Sequence, residues 1–244
     1  HPECGSGTKS GIGRCSARLK NCKLLLRKVI VLSDMLRRRS NRLLRPLGVF
    51  MGRVGIRPNN LTFLGLALTV AAAWQLYASD HDGKPVAILP GVALMLLAGL
   101  ADGGDGLVAR AAGQTSVRGG FLDALTDRYS DSLLFGALLL GGWLVPLPQA
   151  PAITGEAWAL AALIGALLTS YSRAAAERLG VSQQAVGLIE RPERIILLGF
   201  GMLAGELAGN PAIWTTGTLA LLALLGNLTV AQRLVHFWRN ASET

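Results

Sequence analysis

Residues 101–128 read ADGGDGLVARAAGQTSVRGGFLDALTDR. Four aspartates, Asp102, Asp105, Asp123 and Asp127, stand here against apolar runs of membrane-embedded character, where an unpaired carboxylate is too costly to be incidental. On a helix, Asp102, Asp105, Gly106, Ala109 and Arg110 recur at i, i+3, i+4, i+7 and i+8 and share one face, while Asp123 and Asp127, at i and i+4, share another. The intervening AAGQTSVRG is rich in turn residues and short enough to join two antiparallel helices, so the two acidic faces are expected to meet. At about 1.5 Å rise per residue, Asp105 and Asp123 each fall about 7.5 Å from the turn, and Asp102 and Asp127 about 12 to 14 Å, which matches each pair in depth.

Four facing carboxylates without cations would repel one another or take up protons. Divalent ions remove that conflict, and a ligand set of hard oxygens without His or Cys points to Mg²⁺ or Mn²⁺. Gly106 leaves room for a ligand to approach the backbone beside Asp105, and Arg110 offers a planar fork to phosphate. Together these are the requirements of a diphosphate site.

At these residues the sequence resembles the CDP-alcohol phosphotransferase family, whose motif is D-x-x-D-G-x-x-A-R followed, after a short gap, by G-x-x-x-D-x-x-x-D. The chain carries it complete as Asp102, Asp105, Gly106, Ala109, Arg110, Gly119, Asp123 and Asp127. The resemblance implies two metal ions bridging the diphosphate of a CDP-alcohol such as CDP-diacylglycerol, with release of CMP. It assigns Asp102, Asp105, Asp123 and Asp127 to metal, Asp127 also to the base for the acceptor hydroxyl, and Gly106, Ala109, Arg110 and Gly119 to the nucleotide. It further implies a homodimer. Asp131 extends the i, i+4 row beyond the motif and reads as a partner for a nearby arginine.

The rest of the chain agrees with a membrane setting. Of 244 residues, 51% are hydrophobic and only 16% charged, and the mean hydropathy is +0.42. The apolar runs lack strand alternation, so the expected class is all-α, an integral membrane bundle of six transmembrane helices preceded by a basic amphipathic juxtamembrane helix. The spans are read at 61–78, 86–112, 119–145, 157–172, 195–208 (with a start before Arg194) and 212–235. Residues 1–22 read as a flexible basic tail, 23–57 as an interfacial segment and 58–244 as the catalytic domain. Cys4, Cys15 and Cys22 match no common zinc spacing and read as incidental thiols.

The net charge of +9 is concentrated at one end, with 14 of 24 Lys and Arg in residues 1–60 against two acids, Glu3 and Asp34. Only one aromatic residue, Phe50, falls there, which excludes base stacking and with it a nucleic-acid partner. The basic end instead suits the cytoplasmic face of a lipid bilayer. Loop by loop, positive residues gather in the tail, in 110–118, in 173–194 and at the C-terminus, so both termini and the site are expected on the cytoplasmic side of the cytoplasmic membrane.

For the acceptor, Arg118, Arg173, Arg191 and Arg194 form a basic cluster suited to a phosphorylated alcohol, or else serve as topology anchors paired with Glu177, Glu190 and Glu193. Ser170-Tyr171-Ser172-Arg173 with Ala176-Glu177, then Gly187-Leu188-Ile189-Glu190-Arg191-Pro192-Glu193-Arg194, resemble the phosphatidylinositol-phosphate synthase branch. Members of that branch commonly carry a second Arg two residues before the Glu, where this chain has Ala175. The resulting expectation is phosphatidyl transfer from a CDP-alcohol to a polar alcohol, inositol phosphate first and glycerol-3-phosphate second. From a different class, a transporter with an intramembrane carboxylate ion site would explain the buried aspartates but not the spacing of Gly106, Ala109, Arg110 and Gly119.

Overall fold

A computed structural model describes residues 58–78, 88–111, 116–184 and 186–241. The expected tail, the interfacial segment and the three cysteines lie outside the described residues. Within them the chain forms six helices: α1 Pro58–Tyr77, α2 Ile88–Ala111, α3 Val117–Leu140, α4 Gly155–Arg178, α5 Arg191–Leu207 and α6 Pro211–Asn240. Apart from one bridge pairing Leu147 with Ala150 in the Pro-rich loop, no strand pairing occurs among the described residues.

Three of these helices are long and apolar enough to cross a membrane: Asn59–Tyr77, Gly155–Arg178 and Pro211–Asn240. A shorter apolar stretch covers Ile88–Gly104 of α2. The remaining two, α3 and α5, carry charges of the candidate site, and α5, at 17 residues, is shorter than the three long helices.

Helix starts follow their sequence signals. Pro58 opens α1, where a missing N–H costs nothing. Ser116 caps α3, its Oγ accepting from Gly119 N at 3.0 Å. Thr154 caps α4 in the same way, accepting from Ala157 N at 3.2 Å, and each cap satisfies an N–H that the helix itself leaves unpaired. Two ends run further than expected. The helix α4 continues through RAAAER to Arg178 rather than stopping near Ser172. Three alanines there favour helix, and Arg173 pairs with Glu177 one turn on. The helix α6 continues to Asn240, beyond the apolar run that ends at Val235.

Helix α1 packs against both α2 and α3; α4 packs against α3 and α6, and α5 against α6 and α2. The two carboxylate-bearing helices are thus not each other's main neighbours, as a simple antiparallel hairpin would have made them. Instead α1 supports both, and their aspartates face across the space between. Gly65 of α1 lies on this seam, where a Cβ would come into ordinary contact with Ala98 O at 3.5 Å and Asp102 N at 3.6 Å.

Lipid is as apolar as a leucine side chain, so contacts between spans depend on close packing and satisfied polar groups rather than on hydrophobic burial. The α4–α6 contact is built that way. A Cβ on Gly165 would lie 3.0 Å from Asn227 Nδ2 and 3.2 Å from its backbone N, and one on Gly226 would lie 3.4 Å from Gly165 backbone atoms. Small side chains, Ala159, Ala162, Ala166, Ala220 and Ala223, fill the rest of that buried seam. The buried Thr169 hydroxyl donates back to Gly165 O at 2.6 Å, and that of Thr229 to Leu225 O at 2.8 Å. Neither hydroxyl is left unsatisfied by facing the partner helix. Gly165→Leu is therefore expected to pry α4 from α6 at a cost of about 1 to 3 kcal/mol, read as a lower thermal midpoint in detergent. An unchanged midpoint would mean that this seam does not carry the bundle.

Candidate active site

The site is assembled from α2, α3 and α5. On α3, Asp123, Asp127 and Asp131 recur every fourth residue and so descend one face. The row runs from half-buried Asp123 to Asp131, which is 2% exposed. Asp102 of α2 meets this row from the other side. Ligand oxygens of Asp102, Asp123 and Asp127 all lie within 4.8 Å of one another, close enough to hold one ion. Asp105 and Gly106 follow on α2, in the helical register the motif requires. The side chains of Asp105, Ala109 and Arg110 lie outside the described residues. Gly119 sits in the first turn of α3, its missing Cβ 3.7 Å from Asn59 Oδ1 of α1.

The arginines come from the start of α5, and local sequence explains why. Glu193 accepts from Glu190 N at 3.1 Å, which fixes the helix start at Arg191. Pro192 next to it suits a first helical turn. Arg191 and Arg194 are then three residues apart on one face. That face meets the aspartate row of α3. Arg191 Nη1 bonds Asp102 Oδ2 and lies 2.7 Å from Asp127 Oδ1, while its Nε lies 3.5 Å from Asp131 Oδ1. Arg194 points deeper, its Nη2 2.8 Å from Asp131 Oδ2 and its Nη1 donating to Ala166 O of α4 at 3.2 Å.

The four expected acceptor arginines therefore separate. Arg191 reaches the carboxylates. Arg194 is 2% exposed, with its guanidinium donating to Asp131 and to Ala166 O. Arg173 pairs with Glu177 at 3.0 Å and reaches Glu190 at 3.9 Å, next to Arg191. Arg118 is exposed in the first turn of α3 and, among the described residues, joins no ion pair with the cluster. The reading of Asp131 as an arginine's partner agrees with its two ion pairs.

A contributor that the sequence does not announce is Arg233 of α6, 3% exposed. Its Nε donates to Val186 O at 2.9 Å and its Nη1 to Thr169 O, while Thr229 Oγ1 accepts from Leu188 N at 3.1 Å. These bonds pin the segment that leads into Arg191. Gly187 within it has φ of +132°, and a Cβ there would press on Thr229 Cγ2. Any side chain at that backbone angle would be strained. An isolated Arg in an apolar helix is the available signal, but it reads equally as a positive-inside anchor.

The donor set suits a hard divalent ion. Three carboxylates from two helices converge without nitrogen or sulfur ligands among the described residues. A guanidinium already forms ion pairs with two of them, so a cation is favourable at that point, and all-oxygen donors favour a hard one.

Residues 56–238 match the family model described as CDP-alcohol phosphatidyltransferase. The chain belongs to this family. It is 36% identical over 188 residues to archaetidylinositol phosphate synthase of Methanothermobacter thermautotrophicus, covering 77% of this chain and 86% of the relative. It is 32% identical over 210 residues to phosphatidylinositol phosphate synthase of Mycobacterium marinum, covering 83% and 82%. Among solved structures, phosphatidylinositol phosphate synthase of Mycobacterium tuberculosis with CDP-DAG bound superposes with a TM-score of 0.66 at 30% identity, covering 83% of this chain and 98% of that one. The same enzyme in complex with manganese and citrate gives a TM-score of 0.66 at 30% identity, covering 82% and 91%. Family membership decides between the classes left open by sequence: this CDP-alcohol phosphatidyltransferase is an integral membrane transferase, and the transporter reading falls away.

Proposed function

We propose that this CDP-alcohol phosphatidyltransferase moves a phosphatidyl or similar lipid phosphate group from a CDP-alcohol, such as CDP-diacylglycerol, to inositol phosphate, releasing CMP. The observation that carries this is the convergence of Asp102, Asp123 and Asp127, three motif positions, to within 4.8 Å beside Arg191. The archaeal and the mycobacterial relatives are an archaetidylinositol phosphate synthase and a phosphatidylinositol phosphate synthase, which supports the acceptor.

In this reading Asp102, Asp105, Asp123 and Asp127 hold Mg²⁺ or Mn²⁺, two ions in all, and a manganese complex of a similar enzyme supports the choice of metal. Bound divalent ions supply positive charge to the diphosphate oxygens as negative charge develops on CMP. Gly106, Ala109, Arg110 and Gly119 line the CMP portion. A carboxylate oxygen of Asp127 takes the proton of the acceptor hydroxyl, whose oxygen bonds to the lipid-bearing phosphorus as the bond from that phosphorus to CMP breaks. Arg191, with Arg173 and Arg118 nearer the surface, holds the acceptor phosphate, and Arg194 holds Asp131, whose other oxygen faces Arg191. Residues 58–244 form the catalytic domain, all six helices cross the bilayer, both termini and the site face the cytoplasm, and two copies associate as a homodimer.

The acceptor is tested with a panel of alcohols, phosphorylated and not, supplied with CDP-diacylglycerol and Mg²⁺ while CMP release is followed. Inositol phosphate is expected to be the preferred acceptor, with EDTA stopping turnover. Each charge-assisted bond contributes on the order of 1.5 to 3 kcal/mol, so Arg191→Ala is expected to raise the acceptor KM by about tenfold or more. Glycerol-3-phosphate as the preferred acceptor would move the enzyme to the second reading. Preference for free inositol or serine would remove the arginines from acceptor binding altogether.

A further inference from the structure

We propose that Arg191 is an exchangeable counter-cation anchored on Asp131: its Nη1 end leaves Asp102 and Asp127 for the acceptor's phosphate when a divalent ion takes those carboxylates, while its Nε end stays on Asp131. This rests on reading the aspartate cluster as the metal centre.

The contacts divide the guanidinium into two ends with different partners. Nη1 bonds Asp102 and lies 2.7 Å from Asp127, two of the three residues whose oxygens converge to hold an ion. A guanidinium and a divalent cation on the same oxygens repel each other, so the two compete. Nε forms an ion pair at 3.5 Å with Asp131 Oδ1, which is outside that trio, and neither atom has a hydrogen bond to another group among the described residues. Asp131 cannot follow the swing, because Arg194 Nη2 holds its other oxygen at 2.8 Å and is itself tied to Ala166 O of α4 at 3.2 Å. One carboxylate thus serves as a fixed pivot for a mobile arm. Arg173 Nη1 lies 3.9 Å from Glu190, immediately before Arg191, so a second guanidinium stands near the start of that helix.

Competition at one end and attraction at the other make a thermodynamic link. Metal favours the released arm and the anion binds it, so each must strengthen binding of the other by the same factor. Removing the arm should improve metal binding alone and abolish the link. A merely structural Arg191 would do neither.

The test uses the full chain in lipid nanodiscs, with free Mn²⁺ read by electron paramagnetic resonance and no CDP-lipid present. For the wild type, adding inositol phosphate is expected to tighten Mn²⁺ binding about tenfold. Arg191→Gln should bind Mn²⁺ about tenfold more tightly than wild type without the anion, and gain nothing further from it. Arg191→Lys keeps one charge but has no fork to span Asp131 and the cluster. It should retain wild-type Mn²⁺ affinity and lose the tightening, which gives a second reading should the Gln variant fail to fold. Unchanged or weaker Mn²⁺ binding in Arg191→Gln, or full tightening in either variant, overturns the exchange alone. A folded wild type that binds no Mn²⁺ overturns the metal-centre reading and the exchange together.

Discussion

Asp123→Asn, Asp127→Asn and Asp102→Asn are each expected to lower CMP release by about a thousandfold or more, the scale on which electrostatic stabilisation of a developing charge acts. The amide keeps the volume and shape of the side chain, so the loss isolates charge. With one of three converging carboxylates neutral, the cluster binds a divalent ion less tightly, and Arg191 holds a larger share of the remaining negative charge. Membrane insertion and elution as a single species should be unaffected, since Asp102, Asp123 and Asp127 are only partly buried and none pairs with the buried Arg194 as Asp131 does. Activity within tenfold of wild type for any one variant, at saturating Mg²⁺, removes that residue from the site. Excess Mn²⁺ should recover part of the loss in a ligand variant but none in a variant that has lost the base, which distinguishes the two roles assigned to Asp127.

The second large effect is on stability. Asp131 and Arg194 form a pair in which both side chains are 3% exposed, at 2.8 Å. Removing one partner of a buried pair leaves the other charge uncompensated and typically costs about 3 to 5 kcal/mol, whereas removing both is often close to neutral. Asp131→Leu alone is therefore expected to lower the thermal midpoint strongly, and Asp131→Leu combined with Arg194→Met to recover most of the loss. A double-mutant cycle isolates the pairwise contribution. Equal losses in the single and double variants would show that Asp131 acts through Arg191 and not through Arg194, and would move the bracing role away from this pair.

The sharing of one face by Asp123 and Asp127 is legible in the sequence because helical spacing is a local property, and local spacing fixes which side chains share a face. The helix starts at Pro58, Ser116 and Thr154 have local signals as well. The separation of Arg191 from Arg194 is not legible. Both sit on one face of α5, and which of them reaches inward depends on how that helix meets α3, a contact between residues 63 apart in the chain. The clamp by Arg233 is hidden for the same reason, its bonds to Val186 and Thr169 spanning 47 and 64 residues. The extension of α4 through Arg178 escapes a search for apolar spans. Such a search stops where apolar character stops, although helix propensity continues. The position of α1 against both α2 and α3 has no signature in the acidic motif at all, because it depends on contacts between helices.

The distance in sequence between Asp131 and Arg194 has a consequence for the making of the protein. Arg194 follows Asp131 by 63 residues, and chains grow at about 5 to 20 residues per second. For roughly 3 to 13 s, then, α2 and α3 exist with their full row of carboxylates and without either arginine that later neutralises it. Helices whose buried carboxylate still lacks its partner are poor candidates for immediate release into lipid. They are expected to linger at the water-filled insertion site until α5 emerges, so the residues that complete the active site also time the delivery of its first half to the membrane.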